Sequence, residues 1–219
     1  MVGRAEFLSR AGYSVLLFDA QAHGESPGDQ ITFGHLESLD SLAAVAFLHA
    51  KLAAERVGYL GVSQGGASAL LGPEPLPVQS LVLEAVYPTL REAVANRIAI
   101  RLGPLAQFLA PLLLLQVRLR LDADPEAIAP IHGIREIRAP LLLIAGAEDR
   151  HTTLSDSQRL FEAAPDPKSL WVIPGAAHVD FHRFNPIEYE RRILGFLSQT
   201  LRGGAVPSSP LPLGAPDRE

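Results

Sequence analysis

The chain has 219 residues, of which 47% are hydrophobic and 20% charged, and its formal net charge is −5. This length and composition predict one globular domain with a substantial core, and the mildly acidic balance excludes the basic field that attracts nucleic acid. The absence of cysteine excludes a disulfide framework, a thiolate metal site and a cysteine nucleophile, and it favours a reducing, cytoplasmic location. No segment has the apolar run of a signal peptide or an integral membrane span.

The first half of the chain alternates apolar runs with helical periodicity. Tyr13–Phe18 is a short apolar run that ends at a Gly/Pro-rich loop, so it predicts a buried strand. Apolar residues at three- and four-residue steps then predict a helix over about 35–54. A strand at 57–62, a small-residue helix at 64–71 and a strand at 78–86 follow.

The same alternation returns in the second half of the chain. Strands are predicted at 140–145 and 169–173, with a helix at 154–163 between them and a final helix from Pro186. Continuous apolar strands separated by helices predict an α/β fold, with a doubly wound, mostly parallel sheet and helices on both faces. In such sheets ligands bind at the carboxyl ends of the strands.

A helical insertion is predicted at about 87–138, between the two halves. It opens on a capping box of Thr89 and Glu92 and continues as a leucine-rich stretch that Pro104 and Pro111 are expected to break. Two roles suit this insertion, and both can hold together. It can cover the sheet edge, or it can form a lid whose apolar face lines an acyl- or alkyl-binding cleft.

One motif with chemical potential lies at the junction of the strand at 57–62 and the helix that follows. Gly61-Val62-Ser63-Gln64-Gly65 matches the pattern G-x-S-x-G in the strand-to-helix context that this motif requires. Such a turn strains the serine backbone and crowds its neighbours, so Gly61 and Gly65 are expected to be small for steric reasons. Ser63 would project above the sheet, with the Gln64 N–H facing a developing oxyanion. The alternative is a glycine-rich packing turn, since the bare pattern arises by chance in roughly one such chain in ten.

A serine hydroxyl becomes a nucleophile only if a base accepts its proton and a third group orients that base. The loop after the strand at 140–145 offers Glu148 and Asp149, and the loop after the strand at 169–173 offers His178. Both loops belong to the edge of the sheet that carries Ser63. Either carboxylate can orient an imidazole.

Other histidines compete with His178 for the role of base. His23, His151 and His182 are the nearest rivals, because they also fall in predicted loops. A lone loop histidine is more often a solvated or hydrogen-bonding residue than a base. The glycine-containing loop at a strand end favours His178.

Together these segments resemble α/β-hydrolase-fold serine hydrolases, in particular the prolyl-oligopeptidase-like and serine-aminopeptidase-like bacterial esterases. The likeness extends over nearly all of a hydrolase domain at 1–201, with 202–219 left as a Gly/Pro/Ser-rich tail expected to be disordered. It is carried by four segments: GYSVLLFDAQAHGES, GVSQGG, PLLLIAGAEDR and PGAAHVDFH. In the first of them, Gln21 and Ala22 replace the Arg-Gly of the family's D-x-R-G-H-G-x-S loop.

The resemblance implies roles for individual residues. The order Ser63, Asp149, His178 is that of the family's nucleophile, acid and base, and it favours Asp149 over Glu148. His23 is expected to brace its loop rather than to take part in catalysis. The expected activity is cleavage of an ester, thioester or amide of a small to medium apolar substrate through an acyl-enzyme, with no metal or organic cofactor. The alternatives are an acyltransferase with the same triad and a truncated, non-catalytic binding module.

The front of the chain departs from the family pattern. Relatives carry strands and a His-Gly-rich loop before the helix that here is GRAEFLSRAG, and that loop donates a second N–H to the oxyanion. Without it, activity is expected to be impaired, because one oxyanion donor is worth about 2.7–4 kcal/mol of barrier. Missing strands would also leave an open sheet edge. We therefore hypothesise that the reading frame continues upstream of Met1, the only methionine.

Overall fold

The computed structural model describes residues 1–121 and 123–203. Its centre is a four-stranded parallel sheet in sequential spatial order, composed of β1 (Gly58–Val62), β2 (Ser80–Glu84), β3 (Leu141–Gly146) and β4 (Lys168–Ile173). Because the strands are parallel, their carboxyl ends all meet at one edge of the sheet. The predicted α/β class with a parallel sheet is confirmed.

Helices cover both faces of this sheet. Within the described ranges they are α1 (Val2–Arg10), α2 (Glu37–Lys51), α3 (Gln64–Ser68), α4 (Leu90–Leu102), α5 (Ala106–Leu121), α6 (Pro130–Gly133), α7 (Leu154–Ala163), α8 (Phe181–Phe184) and α9 (Pro186–Leu201). None of these helices combines the length and hydropathy that crossing a bilayer requires.

The two faces of the sheet carry two separate cores. Side chains alternate along each strand, so neighbouring residues face opposite sides. Leu83 and Leu143 belong to the core beneath α2, α3 and α7, whereas Val82, Leu142 and Ile144 belong to the core beneath α1 and α9. Every residue of β2 and β3 is buried, as the continuous apolar runs in the sequence predict.

Local sequence signals set the start of two helices. The Thr89 side chain accepts a hydrogen bond from the Glu92 N–H at the first turn of α4. The Asn185 side chain accepts one from the Glu188 N–H, and Pro186 takes the first position of α9, where its missing N–H costs nothing.

A buried ion pair ties α1 to the sheet. Arg4 is 4% exposed and donates to both carboxylate oxygens of Glu84, at 3.0 and 2.7 Å. Glu84 is fully buried at the end of β2, and the Tyr189 hydroxyl of α9 joins the same group. The third guanidinium nitrogen of Arg4 lies 3.0 Å from Asp180, in the segment after β4. One guanidinium therefore links α1, the sheet and that segment.

The strand predicted at Tyr13–Phe18 is not formed. This segment runs without a turn or bend but pairs with no strand of the described structure. Its apolar side chains are 37–44% exposed: Val15, Leu16, Leu17 and Phe18. An apolar run specifies burial, but a strand also needs a hydrogen-bonded neighbour, and the sheet ends at β1 without reaching this segment.

The insertion at 87–138 is helical, as predicted, but only one of its two prolines breaks a helix. Pro104 lies in the short 3-10 turn between α4 and α5, whereas Pro111 lies inside α5. A proline near the start of a helix removes only one hydrogen bond, and apolar neighbours such as Leu114 and Val117 compensate by packing on the core. Most of the predicted tail, from residue 204 onward, lies outside the described residues.

Candidate active site

Ser63 occupies the direct junction of β1 and α3. Its φ of 50° and ψ of −114° place a non-glycine residue in a strained backbone region. Its N–H donates to the Glu84 carbonyl at 2.7 Å, and its own carbonyl accepts from the N–H groups of Gly66 and Ala67. These bonds fix the turn from both sides. Such strain is typical of the serine in a G-x-S-x-G turn between strand and helix.

The steric demands of this turn fall on a different pair of glycines from the one expected. A Cβ on Gly61 would lie 2.4 Å from the Gly65 carbonyl oxygen, and one on Gly66 would lie 2.3 Å from a methyl of Val86. A Cβ on Gly65 would meet no atom within 4 Å. Crowding therefore explains Gly61 and Gly66, but not the absence of a side chain at Gly65.

Asp149 and His178 form a hydrogen-bonded pair at the carboxyl edge of the sheet. Asp149 follows β3, His178 follows β4, and His178 Nδ1 lies 2.7 Å from Asp149 Oδ2. The Asp149 side chain is 1% exposed and that of His178 is 25% exposed. Glu148, the other carboxylate of this loop, is exposed. The structure thus pairs His178 with Asp149.

The charge of Asp149 sets the proton position on His178. Burial by itself raises the pKa of Asp149, but the hydrogen bonds from His178 and from the Thr152 and His151 N–H groups outweigh it. They hold the pKa of Asp149 below its ordinary value of 3.8. A carboxylate ionised at neutral pH can only accept, so Nδ1 of His178 donates to it, and in the neutral tautomer of the imidazole the lone pair is on Nε2.

The serine lies at the same edge but is not joined to this pair. Ser63 follows the carboxyl end of β1, as Asp149 and His178 follow those of β3 and β4. Within the described residues, the hydroxyl of Ser63 and the imidazole of His178 are not hydrogen-bonded to each other, and the bond of His178 is to Asp149. Such contacts are often long in a free enzyme and tighten when substrate binds.

His151 lies directly beside the candidate base. Its ring centroid is 5.1 Å from that of His178, and its buried Nδ1 has no hydrogen-bond partner among the described residues. Burial lowers the pKa of His151, and the electrostatic effect of the neighbouring His178 and Arg97 lowers it further against the attraction of Asp149. His182 lies elsewhere, bonded to a carboxylate of α9.

The loop that contains His23 is built around Asp19. The Ser26 hydroxyl donates to the Asp19 carbonyl at 2.7 Å, and His23 Nδ1 lies 2.8 Å from the Gln21 carbonyl oxygen. Gly24 has a φ of +52°, and a Cβ there would lie 2.0 Å from the Asp19 carboxylate. These contacts suit a bracing role for the loop.

Asn96 of α4 adjoins the site and was not anticipated from the sequence. Its side-chain amide donates to the His151 carbonyl at 3.1 Å and to the Asp156 carboxylate at 3.0 Å. The insertion is thereby fastened to the loop that carries Asp149. No local pattern marks such a residue, because its partners lie more than 50 positions away in the chain.

A parallel sheet with a strained serine between strand and helix, and a hydrogen-bonded aspartate–histidine pair at the same edge, is typical of α/β hydrolases. The family model described as "Alpha/beta hydrolase family" matches residues 4–191, and the chain belongs to that family.

Curated proteins are similar to much of this chain. The uncharacterized protein Rv2307c of Mycobacterium tuberculosis is 34% identical over 171 residues, which are 77% of this chain and 54% of that protein. The uncharacterized protein YqkD of Bacillus subtilis is 25% identical over 190 residues, 85% of this chain and 62% of that protein. The chain therefore spans little more than half the length of the curated relatives it matches.

Solved structures show the same fold. The Pyrococcus furiosus esterase Pf2001 is 27% identical with a TM-score of 0.73, covering 92% of this chain and 76% of that one. The monoacylglycerol lipase of Paleococcus ferrophilus, at 24% identity and a TM-score of 0.59 over 90% of each chain, shares the fold. The family and the esterase neighbour support hydrolase activity in general.

Proposed function

We propose that this chain is a serine hydrolase, which cleaves an ester, thioester or amide of a small to medium apolar substrate through an acyl-enzyme. The observation that carries the proposal is the hydrogen bond between buried Asp149 and partly exposed His178, at the sheet edge where Ser63 is held in a strained turn. The three residues come from distant parts of the chain, and a structural turn alone does not require such a pair.

The proposed reaction uses these residues in sequence. Ser63 Oγ attacks the substrate carbonyl carbon while His178 Nε2 takes the hydroxyl proton, and the Gln64 N–H stabilises the oxyanion. The bond to the leaving group then breaks, and His178 gives the proton to that group. Water attacks the acyl-enzyme in the same way, which returns the proton to Ser63. Substrate binding has to bring Ser63 Oγ and His178 Nε2 into hydrogen-bonding distance.

The apolar preference is supported by the insertion. Asn96 holds α4 against the acid loop, so the surface of α4 and α5 lies near the candidate site. This surface exposes large apolar side chains, namely Leu102, Leu105, Phe108, Leu112, Leu115 and Leu119. Exposed apolar area of this kind is typical of binding surfaces.

A fluorophosphonate probe tests the nucleophile. The probe should label the protein at Ser63, Ser63→Ala should abolish labelling, and the control Ser9→Ala, on an exposed position of α1, should retain it. A folded protein that is not labelled would rule out the mechanism and leave the non-catalytic binding module.

A panel of p-nitrophenyl esters of increasing chain length tests the base and the substrate class. His178→Gln should lower kcat/KM by about a thousandfold or more, and His151→Gln by much less, because the imidazole of His178 is bonded to the Asp149 carboxylate whereas His151 reaches it only through its backbone N–H. Equal losses in the two variants would contradict the assignment. Preferential acyl transfer to an added alcohol would identify an acyltransferase instead.

A further inference from the structure

Helix α5 carries apolar side chains on two opposite sides. Its inner side is buried through Leu114 and Val117, which pack on the core. Its outer side presents a stripe of large apolar side chains at four- and three-residue steps. The members of this outer stripe are 49–69% exposed: Phe108, Leu112, Leu115 and Leu119. A helix that is apolar on all sides is normally covered on all sides, so the outer stripe indicates a surface on which α5 docks.

Arginines flank the outer stripe on both sides. Successive residues of a helix are about 100° apart, so Arg118 lies about 90° to one side of the centre of the stripe and Arg120 about 110° to the other. Both side chains are exposed. An arginine can lay its methylene groups along an apolar surface and keep its guanidinium in a polar layer at the border. Positive charge therefore borders the apolar stripe.

The hairpin formed by α4 and α5 is basic along most of its length. From Ala93 to Leu121 the sequence contains four arginines and no aspartate or glutamate, although the whole chain has a net charge of −5. Arg101, close to the turn between the two helices, is exposed as well. A basic and apolar surface on an acidic protein is complementary to a surface that is apolar and anionic.

The charge pattern also distinguishes a lipid surface from a second copy of the chain. Two copies joined through their outer stripes would bring Arg118 and Arg120 close to the same arginines of the other hairpin, which has no acidic residue to separate them. Like charges brought together in this way weaken association. Anionic lipid headgroups attract each arginine instead, and each such arginine strengthens binding about fivefold.

The length of α5 determines how it can meet a bilayer. Its 16 residues extend about 24 Å, which is less than the roughly 30 Å of the hydrocarbon core. The helix can therefore lie along the surface of a bilayer but is too short to cross it. Leu102 and Leu105, at the turn before α5, are 47% and 58% exposed and extend the apolar surface to the start of the helix.

We propose that the outer stripe of α5 docks on an anionic lipid bilayer, with the helix in the plane of the headgroups. The apolar side chains enter the acyl region, and Arg118 and Arg120 bind the headgroup phosphates. Asn96 fastens α4 to the loop that carries Asp149, so docking brings the candidate site close to the bilayer. Docking needs no chemistry at Ser63, and the proposal is therefore independent of the proposed hydrolase.

Co-sedimentation with vesicles tests the proposal. The 219-residue chain should bind vesicles of phosphatidylcholine and phosphatidylglycerol in equal parts at least about tenfold more tightly than vesicles of phosphatidylcholine alone. High salt should remove most of this difference, because it screens the headgroup charge. Ser63→Ala should bind as the parent chain does. A folded chain that does not bind the anionic vesicles would overturn the proposal, whether or not Ser63 is labelled by a fluorophosphonate.

A pair of leucine variants tests the outer stripe. Leu112→Gln combined with Leu119→Gln should weaken vesicle binding by at least about tenfold, because two side chains no longer enter the acyl region. The control combines Leu39→Gln and Ile187→Gln, which remove two exposed apolar side chains from α2 and α9, and it should bind as the parent chain does. Equal loss in the two double variants would show non-specific adsorption and overturn the proposal.

A pair of arginine variants tests the charge. Arg118→Gln combined with Arg120→Gln should weaken binding to the anionic vesicles roughly twentyfold and binding to neutral vesicles much less. The control combines Arg135→Gln and Arg138→Gln, two exposed arginines outside the hairpin, and should have little effect. Equal effects of the two pairs would contradict docking through α5.

Tryptophan fluorescence locates the contact with the bilayer. Trp171 is the only tryptophan of the chain and is buried, so brominated lipids should not quench the parent protein. They should quench Phe108→Trp and should not quench the control Phe47→Trp, a 51% exposed position of α2. Equal quenching of the two variants would overturn the proposal.

Two other occupants of the outer stripe give different results. A dimer that the leucine variant dissociates, without vesicle binding, would identify a second copy. A raised KM for soluble esters in the leucine variant, again without vesicle binding, would show that the stripe lines the substrate cleft. Either result would overturn docking on a bilayer.

Discussion

The pair Gly61→Ala and Gly65→Ala compares two methyl groups added four residues apart in one motif. At Gly61 the new Cβ would lie 2.4 Å from a carbonyl oxygen and 2.7 Å from the Gly66 Cα, well inside contact distance, so the backbone of the elbow must shift. Overpacking of this kind costs about 1–3 kcal/mol. At Gly65 the space is open and the backbone is helical, so alanine should be neutral or stabilising by up to about 1 kcal/mol.

Urea unfolding followed by the fluorescence of Trp171 measures this difference. Trp171 is the only tryptophan and is 7% exposed in the core beneath α9, so its emission should change on unfolding. The free energy of unfolding of the two variants should differ by at least about 1 kcal/mol, with Gly61→Ala the less stable. Equal stability of the two variants would refute the steric account of the elbow. Fluorophosphonate labelling should fall in Gly61→Ala for the same reason, because the shift displaces Ser63.

Three further predictions concern the buried carboxylates. Arg4→Met should lower the free energy of unfolding by about 3–5 kcal/mol in urea titrations, and the double variant with Glu84→Leu should recover most of it, because no unpaired charge remains buried. Asp149→Asn should lower kcat by about ten-thousandfold with little change in KM for p-nitrophenyl esters, since an amide favours the wrong tautomer of His178. Because the pKa of Asp149 is depressed in the fold, its stabilisation should be present above pH 3.8 and lost as the pH falls below that value. Acid titrations of stability should therefore show a smaller loss in Asp149→Asn than in the parent chain.

The sequence predicts the strands of the sheet well where a segment is apolar along its whole length. The runs that become β2 and β3 are apolar throughout and prove to be buried on both faces. The run at Tyr13–Phe18 is similarly apolar, but the strand predicted there does not form. A strand must pair with a neighbouring strand, and the composition of a segment does not show whether such a neighbour is present. The helix break predicted at Pro111 is wrong for a related reason, since the packing of α5 on the core outweighs the loss of one hydrogen bond.

In the candidate site, too, the features that depend on a local motif are predicted from the sequence, whereas those that depend on distant neighbours are not. The strain at Ser63 follows from motif and context, and both were visible in the sequence. The choice of Asp149 over Glu148 rested on family resemblance, and burial gives it a physical reason. The crowded position at Gly66 was missed, because it depends on Val86, which lies beyond the motif.

Through Arg4, cleavage or loss of α1 would affect two parts of the candidate site. The guanidinium of Arg4 binds the side chain of Glu84, and the backbone carbonyl of Glu84 accepts the Ser63 N–H. It also binds Asp180, two positions after His178. The helix α1 thus connects the strand end that holds Ser63 with the segment that carries His178. Proteolytic cleavage of this short helix would loosen both parts of the candidate site together, although α1 contributes no residue to it.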